Sequence, residues 1–212
     1  MKYSKKGILV VVSGFSGAGK GTLMNRLIST YENYALSVSM TTRQPRPGEL
    51  NGREYFFSDV ESFEQKIQEG GLIEYASYCG NYYGTPKDYV VSQLELGKDV
   101  ILEIEIQGAL KIKNTFEDAL LLFVMPPSVD ELYKRLIGRG TETEEVILKR
   151  LERAYEESEG IEKYDYIVIN DDLDDCVQEM HQMIKIARNV PVRNIEFIEN
   201  VRTELKGISK GE

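Results

Sequence analysis

Four short apolar runs punctuate the chain: Ile8–Val12 (ILVVV), Asp99–Ile106 (DVILEIEI), Ala119–Met125 (ALLLFVM) and Tyr164–Asn170 (YDYIVIN). Each is β-branched or leucine-rich and bounded by breakers, which predicts buried strands of a parallel sheet. Between them apolar positions recur at helical spacing, as in Leu23, Met24, Leu27 and Ile28, and again in Ile147, Leu148, Leu151, Ala154 and Tyr155. Strands alternating with helices predict an α/β sandwich, with a parallel sheet covered by helices on both faces. The alternation breaks between 37 and 89, where Gly, Pro, Tyr and Phe accumulate around the turn signals RPGE, LNGRE and CGNYYG. That stretch reads as an inserted β-rich lobe. Ser128 with Glu131, and Thr141 with Glu144, have capping-box spacing and predict two helices joined by a glycine hinge at Gly138 and Gly140. The tail beyond Arg188 reads as loosely held.

The bulk numbers narrow the function. With 212 residues and 42% hydrophobic composition the chain supports one well-packed core. A net charge of -9 leaves no broad basic face, so general nucleic-acid binding is not expected. The two cysteines, Cys79 and Cys176, have no CxxC or metal-like spacing and read as ordinary thiols in a reducing cytoplasm. The basic start MKYSKKG is followed by too short an apolar run for a signal peptide or a membrane span.

The stretch that carries chemistry follows the first strand. In GFSGAGKGT, the residues Gly14, Phe15, Ser16, Gly17, Ala18, Gly19, Lys20, Gly21 and Thr22 have the spacing of a phosphate-binding loop. Glycines let backbone N–H groups converge on an oligophosphate, the following helix contributes its positive end, and Lys20 a full charge. The strict pattern has Ser or Thr directly after the lysine; here Gly21 intervenes, so Thr22 or a water is left to meet Mg²⁺.

Other residues suggest a second anion and a base. Arg43 and Arg46, with Tyr55 nearby, offer two guanidinium forks and a phenol suited to another phosphate. Downstream, Glu74, Tyr83 and Thr85 include a carboxylate able to accept two parallel N–H bonds, as the N1 and N2 edge of guanine requires. Adenine lacks those donors.

Taken in order, GFSGAGKGT, SVSMTTRQPRPGELNGREYFF, EYASYCGNYYGTP, EIEIQGA, PPSVDELYKRLIGRGTETEE and IVINDD resemble guanylate kinases, from about Gly7 to Arg188. The resemblance implies transfer of the γ-phosphoryl group of ATP to GMP, and to dGMP, with Mg²⁺, in purine nucleotide metabolism. It implies one domain over 1–212: a core (7–36, 90–127 and 160–188), a GMP-binding lobe (37–89), a mobile lid (128–159) and a tail (189–212). On the same basis Arg43, Arg46, Tyr55 and Tyr83 hold the GMP phosphate, and Ser39, Glu74 and Thr85 read the guanine. Asn170 lies near the adenine of ATP, and Arg135, Arg139 and Arg150 bring charge to its γ-phosphate. The family usually has aspartates where this chain has Glu103, expected near the metal's water shell, and Glu105, expected near the guanine amino group. His181 is expected to be an incidental surface residue. The expected partners are nucleotides only, with no nucleic acid and no membrane, for a monomer or small homo-oligomer. Two readings compete: a scaffold module that had kept the fold and lost the chemistry, against which the intact loop and arginines argue, and a kinase for another small phosphorylated acceptor, against which Glu74 with Ser39 and Thr85 argues.

Overall fold

The computed structural model describes residues 6–78, 80–138 and 143–209. Strand β1 (Leu9–Gly14) leads through the glycine loop into helix α1 (Lys20–Thr30) and the short strand β2 (Tyr34–Leu36). Next come β3 (Met40–Thr41), β4 (Phe56–Phe57), α2 (Val60–Gln68) and the hairpin of β5 (Leu72–Tyr78) and β6 (Asn81–Pro86). The chain then returns to alternation with α3 (Lys87–Glu95), β7 (Asp99–Glu103), α4 (Ile106–Thr115) and β8 (Leu120–Met125). Helices α5 (Val129–Ile137) and α6 (Glu144–Ser158), strand β9 (Tyr166–Ile169), and helices α7 (Leu173–Ala187) and α8 (Ile195–Ser209) complete it.

Five strands form an all-parallel sheet in the order β2-β7-β1-β8-β9. Val10, Val11 and Val12 of β1 are fully buried between β7 and β8, and a buried valine contributes about 1.5–3 kcal/mol. The end of β1 is therefore a fixed platform, and the loop leaves it at the carboxyl edge of the sheet, where open α/β folds hold their ligands. At the opposite edge, buried Asp99 accepts from Ile8 N (2.8 Å), Asn33 Nδ2 (3.1 Å) and the Arg188 guanidinium (2.5 Å). That clamp ties the start of β7 to the end of α7.

Three expectations need correction. The run Tyr164–Asn170 does not form a buried strand: β9 is an edge strand whose Val168 alone is buried, with Ile167 and Ile169 about half exposed. Apolar composition does not separate an edge from a centre, because that depends on which neighbour arrives. The apolar stripe of α6 is narrower than expected, since Ile147 and Ala154 are buried while Leu148 and Tyr155 are exposed. Helix α5 is capped as expected, Ser128 Oγ accepting from Glu131 N at 3.1 Å, but α6 begins after Thr143, which makes no side-chain capping bond. Thr141 lies outside the described residues. The tail contains helix α8, exposed along most of its length, and Arg193 just before it donates to the carbonyls of Asp118 (2.9 Å) and Ala187 (2.7 Å). Strand β2 gave no sequence signal, because three residues are too few to establish a period.

The interrupting segment is a second, mixed sheet in the order β4-β3-β6-β5. Its backing is Phe63 of α2, fully buried and stacked on Tyr82 at 5.2 Å. Gly84 is required there: a Cβ would lie 2.9–3.0 Å from the Glu74 carbonyl, the Phe63 ring and Tyr75 Cβ. No helix among the described residues is long and apolar enough to cross a membrane.

Candidate active site

The loop after β1 is shaped by glycines that nothing else can replace. A Cβ on Gly14 would sit 2.1 Å from the Val124 carbonyl oxygen, and one on Gly19, at φ +88, would sit 2.5 Å from Asn170 Nδ2. Phe15 anchors the loop edge-on against Phe123 at 5.1 Å. Helix α1 begins at Lys20 with no acidic residue in its first turn, so its positive end is not offset locally. Lys20 Nζ folds back on the loop, donating to the carbonyls of Gly14 (2.8 Å) and Phe15 (3.2 Å) and approaching Glu103 Oε1 at 3.9 Å. Gly21 and Thr22 stand exposed on the first helical turn.

Three of the distant residues named from sequence meet this loop. Asn170, buried at the end of β9, donates to the Ala18 carbonyl at 2.8 Å. Arg135 of α5 reaches the same carbonyl at 3.5 Å while its Nε pairs with Glu131 at 2.8 Å. Arg150 of α6 donates to Ser16 Oγ at 2.6 Å. Arg139 lies outside the described residues.

In the second sheet, Arg43 is engaged with Glu49, whose carboxylate oxygens lie 2.9 and 3.0 Å from Nη2. The guanidinium also stands 5.3 Å from the Tyr55 ring and 5.9 Å from Phe57, and Tyr55 meets Tyr83 edge-on at 6.1 Å. The Arg46 backbone N–H donates to Glu49 at 2.7 Å and, together with Arg43, holds that carboxyl below its usual range; the Arg46 side chain is exposed. Glu49 is thus a partner of Arg43 that sequence reasoning missed, although its place in the turn PRPGE was a signal. On the neighbouring strands, buried Thr85 donates its hydroxyl to Glu74 at 2.7 Å. Burial pushes the Glu74 carboxyl upward, with Thr85 and the charge of Lys111 opposing. Ser39 lies just before β3, its carbonyl accepting from Phe56 N at 2.8 Å.

A family model described as guanylate kinase matches residues 6–187. The chain belongs to the guanylate kinase family. A guanylate kinase from Caldanaerobacter subterraneus is 47% identical over 204 residues, 96% of this chain and 99% of the relative. One from Desulfitobacterium hafniense is 50% identical over 192 residues, covering 91% and 96%. Among solved structures, a guanylate kinase from Anaplasma phagocytophilum superposes with a TM-score of 0.68 at 31% identity, over 90% of each chain.

Against that guanylate kinase background, the two glutamates at the end of β7 have separate surroundings. Burial raises the Glu103 carboxyl, and Lys20 opposes that rise. Glu105 occupies the position just before α4 and makes no capping bond with it; instead it pairs with Arg153 of α6 at 2.7 Å. Arg153 was not anticipated from sequence. His181 is corrected as well: it stacks on Tyr31 at 3.7 Å, nearly parallel, and Nδ1 meets the Tyr34 hydroxyl at 2.7 Å. Burial holds its pKa down, so it is a packed, neutral-leaning residue rather than an incidental surface one. Cys176 is buried and its thiol is pushed up to about 11, which makes it unreactive.

Magnesium fits the donor set. No cluster of three or more His, Cys, Asp or Glu able to cage a metal occurs among the described residues. Thr22, two positions beyond Lys20 in the first turn of α1, and Glu103, 3.9 Å from Lys20 Nζ, nevertheless offer hard oxygen atoms, and Mg²⁺ takes few protein ligands when phosphates and waters complete its shell.

Proposed function

We propose that this guanylate kinase transfers the γ-phosphoryl group of ATP to GMP, giving ADP and GDP, with the glycine loop as donor site and the β3–β6 sheet as acceptor site. The observation that carries the reading is the pairing, in one chain, of a loop able to cradle phosphates with a half-buried carboxylate, Glu74, steadied by Thr85. Deoxy-GMP as a second acceptor, a role in cytoplasmic purine recycling, a monomer or small homo-oligomer and the division into core, lobe (37–89) and lid (128–159) belong to the same reading.

The loop amides from Gly14 to Thr22 and Lys20 hold the ATP phosphates, with Asn170 at the adenine end. Arg43, Arg46, Tyr55 and Tyr83 orient the GMP phosphate, which displaces Glu49 from Arg43. Ser39, Glu74, Thr85 and Glu105 read the guanine. Thr22 and, through water, Glu103 would hold Mg²⁺, which supplies charge neutralisation on the phosphates. Because phosphoryl transfer passes through a loose transition state, the protein's task is alignment and positive charge, and Arg135, Arg139 and Arg150 deliver the latter from the lid. The acceptor oxygen is already anionic, so no general base is required, consistent with His181 being occupied by Tyr31 and Tyr34. Closure of α5 and α6 excludes water, which keeps ATP hydrolysis slow until GMP is bound.

The test is ADP release by the purified protein with Mg²⁺ and ATP against GMP, AMP, CMP, UMP and no acceptor. Turnover with GMP alone is expected. A folded protein silent with every acceptor would overturn the reading.

A further inference from the structure

Helix α6 carries two arginines, Arg150 and Arg153, three positions apart and therefore on the same side of the helix. Arg150 reaches Ser16 of the glycine loop at 2.6 Å, whereas Arg153 Nη2 reaches Glu105 Oε1 at 2.7 Å and its Nε reaches Glu157 at 3.2 Å. One helix thus touches both the donor loop and the corner between β7 and α4. Glu105 has extended backbone and its carboxylate makes no capping bond to its own helix, although its carbonyl accepts from Ala109 N at 3.0 Å, so Arg153 is what orients the carboxylate. Glu157 anchors the other side of the guanidinium: its side chain is only 16% exposed and burial raises its carboxyl, with Arg153 opposing. The resemblance described above gives aspartate as the usual residue at this corner. An aspartate arm is one methylene shorter, whereas the arm of Glu105 brings its carboxylate to 2.7 Å from Arg153 Nη2.

We propose that Arg153 is a positioning residue for base selectivity, holding Glu105 so that its other carboxylate oxygen accepts the 2-amino group of GMP. This rests on the reading of Glu105 as a guanine contact. A carboxylate has acceptor capacity on both oxygens, so Arg153 on Oε1 and an amino group on Oε2 are compatible. Without Arg153, the flexible Glu105 side chain must be ordered by the nucleotide itself, and that cost appears as weaker binding. IMP lacks the 2-amino group, so its binding does not depend on Glu105 orientation.

The test is steady-state kinetics at saturating MgATP with GMP and with IMP, for the wild type, Arg153→Gln, Arg153→Lys, Glu105→Gln and the double variant Arg153→Gln/Glu105→Gln. For an exposed ion pair the expected rise in the KM for GMP in Arg153→Gln is about twofold to fivefold, with kcat, the KM for IMP and the KM for ATP unchanged. Arg153→Lys should recover part of the loss. The double variant should be no worse than Glu105→Gln alone, because both changes act through one carboxylate. Equal shifts for GMP and IMP in Arg153→Gln, or additive losses in the double variant, would overturn the proposal. If Glu105→Gln lowers GMP selectivity and Arg153→Gln does not, Glu105 keeps its assignment and the role of Arg153 falls. If Glu105→Gln leaves the selectivity unchanged, the guanine assignment of Glu105 is wrong and the proposal goes with it.

Discussion

The glycine loop and the β3–β6 sheet are both assigned to phosphate, yet they are made of different materials. The loop offers an anion its backbone: positive φ at Gly17 and Gly19, a close approach at Gly14, and the start of α1, all following a strand buried from Val10 to Val12. The second region is assigned its anion through side chains: Arg43, Arg46 and Tyr55 lie in the connection between the two-residue strands β3 and β4, and Tyr83 lies on β6. Backbone recognition is rigid and continuous in sequence. Side-chain recognition is gathered from separate segments and needs internal partners to hold it open, as Glu49 holds Arg43 and Thr85 holds Glu74. In this structure each side also satisfies its own cation, Lys20 with loop carbonyls and Arg43 with Glu49. On the proposed reading, substrate phosphate exchanges those contacts rather than filling an unpaired site.

The comparison breaks most decisively at Lys20. Lys20→Ala should lower kcat by at least about a hundredfold while costing only about 0.5–1.5 kcal/mol of stability. Single-turnover rates and a thermal melt would check this, and activity kept within about tenfold would mean that the loop is not the donor site.

Glu74→Gln comes next and sharpens the contrast on the acceptor side. It should raise the KM for GMP by about tenfold or more and leave that for ATP unchanged; equal changes would remove Glu74 from the guanine pocket. The pH dependence has a definite sign. Burial raises the Glu74 carboxyl in the fold, so the protonated group favours folding below the ordinary carboxylate range, and that contribution is lost as pH rises through the raised value. Guanine recognition needs the ionised form. The KM for GMP should therefore climb as pH falls through the raised value, and this limb should be absent from the Glu74→Gln profile.

The smallest effect is expected at His181, which packs against Tyr31 at the far end of the helix that begins with Lys20. His181→Ala should leave kcat and both KM values within about twofold, while loss of a ring stack worth about 0.5–1.5 kcal/mol lowers Tm by a few degrees. A large kinetic loss would show that the loop is tuned from its distal end, and the division between backbone and side-chain recognition would need redrawing.

The chain's own order determined the strand before the loop, the glycine spacing, the helix after it, the alternation that makes a parallel sheet and the interrupting lobe. These are local: each depends on residues within a few positions, through hydrophobic period, turn chemistry and backbone freedom. Glu74 and Thr85 were also legible, because a hairpin brings them together across a short separation. Tertiary structure alone decided that β9 lies at an edge, that His181 is clamped between Tyr31 and Tyr34, that Asn170 braces Ala18, and that Arg153 reaches Glu105. The last three each join residues far apart in the chain. Sequence fixes which charges and rings are available, but which of them meet depends on how helices settle against the sheet, and no local period carries that information.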